Sequence, residues 1–379
     1  MQLEPFALER FQSIWENRVA WNLAESGVHP LTLAEIVTTA EVRDALLGVT
    51  LGYPQTNGTA ELRALIAALY HGATPAHVQV TNGGSEANCV LLMRLVQPGD
   101  EIVFMTPNYM QARGLARGLG ATVREWRLRE HGNGANARWV ADLDELKTLV
   151  TPRTRAILIC NPNNPTGARF GADVLDGICA IADAAGAWIV SDEIYRGAER
   201  DGDETPSIWG RSERAIVSSG LSKAYGLPGL RIGWAVAPPA LVEDLWAIHD
   251  YTTIAPGAIN DRLARIVLSP GRRAEIIART RGIIRTNYPL LKRWLDQQEG
   301  LTHVPPDAGA IAFVRYARPL PSLTLVERLR DEQGVLVVPG SHFDMDGCLR
   351  IGFGSDPDHL SAALGRIGDF LQATSAHAR

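Results

Sequence analysis

Between residues 75 and 240, short apolar runs alternate with amphipathic stretches, and this alternation sets the first expectation for the fold. The runs cover 77–80, 101–105, 156–160, 188–190, 215–217 and 232–236. Most are nearly continuous in Val, Ile, Leu and Ala, as expected of strands buried on both faces by helices. Right-handed crossovers then predict an open α/β sheet. Upstream, residues 1 to about 45 read as an N-terminal arm and a helix. Residues 54–58 form a polar, turn-rich loop, and Leu62, Leu65, Ile66 and Leu69 come next at helical spacing. A region rich in Arg and Ile, from about 240 to 298, reads as helical. The remainder reads as a smaller α+β unit, with strands near 310–314, 335–338 and 348–353 and a closing helix from about 359 to 371. No internal repeat or low-complexity tract interrupts this order.

The chain has 379 residues, 46% of them hydrophobic, enough for more than one domain at roughly 100–200 residues each. A formal net charge of −5 with no run of like charges offers no grip on nucleic acid. The N-terminal Met1-Gln2-Leu3-Glu4 is acidic early and lacks the basic start of a secretory signal. No stretch approaches the roughly 20 apolar residues needed to cross a bilayer. Cys89, Cys160, Cys179 and Cys348 form no CxxC pair and read as reduced thiols, so a cytoplasmic location is expected. The nine histidines form no HExxH or close carboxylate cluster, so no metal site is expected.

Ligands of open α/β sheets bind outside the carboxyl ends of the strands. The residues just beyond each run therefore matter most. The first run ends in Thr81-Asn82-Gly83-Gly84-Ser85-Glu86 and enters an apolar helix. Glycines there let backbone N–H groups approach an anion, and the helix dipole favours negative charge. This suits a phosphate, although the turn is neither GxGxxG nor a P-loop. Another run ends in Asn161-Pro162-Asn163-Asn164-Pro165-Thr166-Gly167, stiffened by two prolines and rich in amides. The next ends in Asp192-Glu193-Ile194-Tyr195. A carboxylate at a buried strand's mouth is costly without a partner, although helix capping is an alternative reading. The fifth ends in Ser222-Lys223 and continues through Gly226, Pro228 and Gly229 to Arg231. A lysine held between apolar strands can have its pKa lowered by desolvation and act as nucleophile or base.

At these residues the sequence resembles the class I/II aminotransferases, enzymes of the pyridoxal 5′-phosphate (PLP) fold-type I superfamily. The resemblance covers nearly the whole chain. It rests on Tyr53-Pro54-Gln55-Thr56-Asn57-Gly58, the turn from Thr81 to Asn88, Pro107-Asn108-Tyr109, the loop from Asn161 to Gly167, Asp192-Glu193-Ile194-Tyr195, Ser222-Lys223 with Arg231, and Arg350-Ile351-Gly352.

The resemblance implies a large domain with a mixed, mostly parallel seven-stranded sheet between helices, plus a smaller α+β domain. The division it suggests is 1–45 for the arm and part of the small domain, 46–275 for the large PLP-binding domain and 276–379 for the small C-terminal domain. Lys223 is then expected to hold PLP as a Schiff base and to move protons at the substrate Cα. Asp192 would keep the pyridine nitrogen protonated, making the ring an electron sink. Tyr195 and Asn164 would bond the ring hydroxyl, and Tyr109 would stack on the ring. Gly84, Ser85, Ser222 and Arg231 would hold the phosphate. Tyr53 is similar to a residue that reaches the phosphate of a neighbouring subunit, which implies a homodimer. Arg350 would clamp the substrate carboxylate, and Gly27 resembles the N-terminal backbone contact to substrate.

The family usually has Ser three residues before the lysine; here that position is Gly220, with Ser219 or Ser222 as possible replacements. The expected reaction is amino transfer between an L-amino acid and a 2-oxo acid. The alternative is a PLP lyase, a β/γ-replacement enzyme or a cyclising enzyme, because the electron sink is common to all. Glu25-Ser26-Gly27-Val28-His29 resembles the capreomycidine synthase-like enzymes, which cyclise a modified arginine. A sensing regulator on the same domain would carry a DNA-binding module ahead of it, but motif-bearing sequence begins near Gly27.

Overall fold

In the computed structural model, which describes residues 2–376, the apolar runs assemble into one seven-stranded sheet. Its strands are β1 (Val78–Thr81), β2 (Glu101–Thr106), β3 (Thr122–Arg127), β4 (Thr154–Cys160), β5 (Trp188–Asp192), β6 (Ala215–Gly220) and β7 (Gly233–Val236). Their spatial order is β1-β7-β6-β5-β4-β2-β3. Strands β2 to β6 pair in parallel, and β7 runs antiparallel to both β1 and β6. Every residue of β1, β2, β6 and β7 is buried. Double-sided burial leaves no polar face, so apolar residues dominate these strands, with Gln79, Thr81, Glu101, Thr106, Ser218 and Ser219 as buried exceptions near their ends and edge.

Strand β3 was not among the predicted runs. Its sequence, Thr-Val-Arg-Glu-Trp-Arg, lies at the sheet edge, and only Trp126 is buried. Charged residues on an edge strand discourage pairing with other chains, but they also erase the apolar signal.

The helices that frame the site are α1 (Ala7–Trp15), α2 (Gly84–Leu95), α3 (Ala172–Ala185), α4 (Pro239–His249), α5 (Pro270–Asp296) and α6 (Pro357–Ala376). Helix α2 buries Val90, Leu91, Leu92 and Leu95 and packs against β6 and β7. Helix α3 ends at Gly186, whose left-handed φ of 67° turns the chain into β5.

A second, antiparallel sheet holds β8 (Leu301–His303), β9 (Ile311–Tyr316), β10 (Val338–Pro339) and β11 (Cys348–Gly352) in the order β8-β9-β11-β10. The single strand expected at 335–338 is divided. Val335–Leu336 pairs in parallel with Trp21–Asn22, and Val338–Pro339 joins β11. The first pairing stitches the N-terminal arm to the C-terminal unit. The division expected at 275/276 falls inside α5, which is continuous over 27 residues.

Candidate active site

The carboxyl ends of β1, β4, β5 and β6 converge on a cavity of about 340 Å³. All the residues singled out in the sequence line it except Gly27 and Tyr53.

One end is built by the turn from β1 into α2. Gly83 has φ +101°, a conformation that suits glycine. A Cβ there would lie 2.3 Å from Arg231 Nη2, so only a bare backbone lets the guanidinium sit against the turn. Gly84 and Ser85 open α2, where amides lack intrahelical acceptors and the dipole is positive. The turn is pinned from behind. Asn82 N donates to Glu86 Oε2 at 2.6 Å, and the buried His249 of α4 lies 3.2 Å from the same oxygen. Burial would raise the Glu86 pKa, but bonds from His249, Thr252, Asn82 and Thr253 outweigh it and bring it to about 2. Gly233 of β7 backs the turn; a Cβ there would lie 2.3 Å from both Gly83 C and Gly84 N. Gly233→Ala is therefore expected to cost about 1–3 kcal/mol by overpacking. It should also weaken PLP binding, because the displaced atoms are those of the anion turn. Thermal melts with and without PLP check both effects.

The departure at Gly220 has a steric cause. A Cβ at 220 would approach the Ile232 carbonyl oxygen at 2.8 Å. Ser219 donates its hydroxyl to the Glu193 carbonyl at 3.2 Å, whereas Ser222 lines the cavity. Of the two serines, Ser222 is the one available to a ligand.

At the base of the cavity stands Asp192, the last residue of β5. Burial raises its pKa, opposed by bonds from Asn88 Nδ2 and the Ile194 amide, both at 3.1 Å. Asn88 is in turn held by Ser218 Oγ at 2.6 Å. The next side chain, Glu193, points the other way and accepts from Ser207 Oγ and Ile208 N at 2.9 and 2.8 Å. Burial pushes its pKa to about 7. An unfolded glutamate titrates near about 4.3, so folding takes up a proton between about pH 4.3 and 7. The stability this group contributes is full in acid and is lost as pH rises through 7. Glu193→Gln stays neutral throughout. Its melting temperature relative to the unsubstituted protein should therefore rise by several degrees between about pH 5 and about pH 8.

The chain has three lysines. Lys147 and Lys292 form surface ion pairs with Asp144 and Asp296. Lys223 alone lines the cavity. Its Nζ donates to Glu25 Oε1 at 2.6 Å, and that oxygen also accepts from the amides of Ser26 and Gly27. Burial opposes ionisation of both partners, but their mutual attraction wins: Glu25 falls to about 2 and Lys223 is raised. The desolvated, lowered lysine pKa anticipated from the sequence is thus reversed in this state, because a carboxylate meets the amine.

Opposite the turn, Arg350 is 1% exposed. Its Nη1 donates to Asn164 Oδ1 at 2.9 Å and its Nη2 to the Ala24 carbonyl at 2.7 Å, while Nε has no partner among the described residues. Tyr195 OH donates to Ser26 Oγ, and Tyr109 OH donates to Glu9 Oε1, both at 2.8 Å. The site thus gathers an anion turn, a buried acid, one amine and a buried arginine.

The model of the aminotransferase class I and II family matches residues 26–367. The chain belongs to that family. It is 33% identical to the capreomycidine synthase of Streptomyces vinaceus, over 94% of this chain and 90% of that protein. Among solved structures it is similar to a PLP-dependent aminotransferase from Streptococcus suis, at 33% identity and a TM-score of 0.92, covering 98% of this chain and 99% of that one. It is also similar to a PLP-dependent cyclase, OrfR, at 28% identity and a TM-score of 0.87, covering 99% and 98% of the two chains.

The cofactor of this class I/II enzyme is PLP. The residues present suit its three functional parts: the glycine turn with Arg231 suits a phosphate, Asp192 a protonated ring nitrogen, and Lys223 an aldehyde. Two expected residues lie outside the cavity. Gly27 borders a neighbouring one, where a Cβ would come within 3.5 Å of Lys223 Cδ. Tyr53 is 82% exposed and borders a separate surface hollow beside Asp261 and Arg265. Sequence reasoning missed Asn88, although its spacing from Gly84 put it on the same face of α2. It also missed Glu25 as a partner of Lys223, and Glu9, Gln12 and Glu16, which reach the cavity from the N-terminal arm.

Proposed function

We propose that the enzyme transfers an amino group between an L-amino acid and a 2-oxo acid, with PLP bound covalently through Lys223. The observation that carries this reading is the division of charge around one cavity. Arg231 against the anion turn, Asp192 at the end of β5, Lys223 and the buried Arg350 all line it. When bound, the cofactor supplies an electron sink for the charge that develops at the substrate Cα.

The chain's own residues do the rest. Gly84, Ser85, Ser222 and Arg231 hold the phosphate. Asp192, fixed by Asn88, keeps a proton on the ring nitrogen. Tyr195 and Asn164 bond the ring hydroxyl, and Tyr109 covers the ring. Arg350, steadied by Asn164 and Ala24, takes the substrate carboxylate, while the Gly27 backbone borders the substrate. Lys223, once displaced by the substrate amine, would carry the proton between the substrate Cα and the cofactor carbon C4′. Tyr53, exposed on a single chain, is assigned to the phosphate of a second copy, so the working unit is a homodimer.

Mixing the purified enzyme with single amino acids tests this reading. A pyridoxamine phosphate spectrum, with release of the matching 2-oxo acid, is expected. A second reading, elimination followed by cyclisation on the same apparatus, is favoured by the likeness to capreomycidine synthase and to a PLP-dependent cyclase. Formation of a cyclised product or ammonia, with no pyridoxamine phosphate from any amino acid, would decide for it.

A further inference from the structure

We infer that Glu25 is a positioning residue for the proton carrier: its carboxylate, fixed by the N-terminal arm, holds the ammonium that Lys223 becomes when it takes the substrate Cα proton. The inference rests on the proposed function and deepens its proton-transfer step.

Lys223 lines the main cavity, whereas Glu25 borders the adjoining one together with Gly27 and His29. The contact between them, Nζ to Oε1 at 2.6 Å, therefore crosses the partition between the two cavities. The carboxylate does not stand in the space that the main cavity offers a cofactor.

The chain itself holds that carboxylate. Its Oε1 accepts from the amides of Ser26 at 2.8 Å and Gly27 at 2.9 Å, and neither bond depends on the lysine. The backbone around it is clamped to the strand end that carries Arg350. Gly352 N donates to the Leu23 carbonyl and His29 N to the Gly354 carbonyl, both at 2.7 Å. A Cβ at Gly352 would lie 2.1 Å from the Glu25 carbonyl oxygen, and one at Gly354 would lie 2.1 Å from that of Gly27. Two glycines thus let the arm lie against the end of β11 on both sides of Glu25. The lysine stem is bounded by the same segment, since a Cβ at Gly27 would come within 3.5 Å of Lys223 Cδ. A mere counter-ion for an empty site needs no such bracing.

The charge balance of the step fits this placement. The Cα–H bond breaks, its electron pair stays with the substrate carbon and passes into the electron sink, and the proton forms a third N–H bond on the neutral amine. The lysine thereby gains a positive charge in a mostly buried place. Burial opposes that charge, and Glu25 outweighs burial, with Tyr195 acting in the same direction and Arg350 against it. Glu16, just beyond α1, is a further acid close enough to interact with Glu25. A base whose charged form is held by a fixed third group takes up a proton more readily.

Two measurements test the inference. In the first, the cofactor-free protein meets trace acetic anhydride between about pH 7 and about pH 10, and the label is mapped on each of the three lysines. Only the neutral amine reacts, and its fraction rises about tenfold per pH unit until it saturates. Label on Lys223 of the unsubstituted protein is expected to climb throughout. In Glu25→Gln it should run about tenfold or more higher and level off at lower pH, with Lys147 and Lys292 unchanged. Easier access alone would raise the whole profile and leave its shape the same, and that result counts against the inference. In the second, the PLP-loaded enzyme is mixed with the common L-amino acids deuterated at Cα, and loss of deuterium is followed. Glu25→Gln should slow the loss about tenfold or more, and Glu25→Asp, which keeps the charge, should recover part of it. Superimposed labelling profiles, or an unchanged rate of deuterium loss in Glu25→Gln, would overturn the inference and leave the proposed function intact. No loss from any amino acid with the unsubstituted enzyme would sink the proposed function, and the inference with it.

Discussion

Lys223→Ala, purified and supplied with PLP, will bind the cofactor without a covalent bond and lose on the order of 10⁴-fold or more of its turnover. Three features of the structure set that size. The lysine sits in the loop between β6 and β7, walled by Ser222 and Pro228, with no other lysine in the cavity to replace it. The two remaining lysines hold surface ion pairs elsewhere. Alanine removes both the nucleophile and the proton carrier, so two contributions vanish together. Fold stability should fall modestly at neutral pH, because the attraction that lowers the Glu25 pKa and raises that of Lys223 is lost. The Lys223–Glu25 pair leaves one half-exposed carboxylate behind, and the Ser26 and Gly27 amides still hold it. A variant that keeps full activity would remove Lys223 from the chemistry.

Asp192→Asn is expected to cost at least about 10²–10³-fold in turnover while leaving PLP bound. Asparagine has nearly the shape of aspartate; its one amide oxygen can keep the Ile194 amide, and a flipped Asn88 amide can accept from its NH2, so the fold and the cavity should survive. What it cannot carry is negative charge at the mouth of β5. Without that charge the ring nitrogen loses its proton, and the electron sink weakens. Burial raises the Asp192 pKa, and a positive ring beside it would hold the carboxylate ionised. The diagnostic result is a loss in turnover far larger than any loss in PLP affinity. Equal losses in both would mean that Asp192 serves packing alone.

The central sheet was legible because its strands are buried on both faces, and burial there favours apolar residues along most of each strand. Where that condition lapses, the signal lapses too. Strand β3 lies at the edge and carries Arg124, Glu125 and Arg127 among its six residues, so it did not stand out. The 335–338 run is continuous in sequence but serves two sheets, a choice made by its partners, Trp21–Asn22 and β11. The loops after β1, β4, β5 and β6 were legible for a related reason. Strand mouths collect residues whose polarity no core would tolerate unpaired.

The N-terminal arm's contribution was not legible. Glu25 reaches Lys223 across 198 residues, and Glu9 and Glu16 look in sequence like an ordinary solvated helix face. Their position comes from the parallel pairing of the arm with Val335–Leu336 and from the Gln12 bond to Ala24. No periodicity announces either contact.

Borohydride reduction of the PLP-loaded protein, followed by peptide mass mapping, tests the main assignment most directly. The chain offers only three lysines, so the answer is unambiguous. A single reduced pyridoxyl group on the peptide containing Lys223 is the predicted result. Label on Lys147 or Lys292, or on no lysine while the visible band persists, would contradict it.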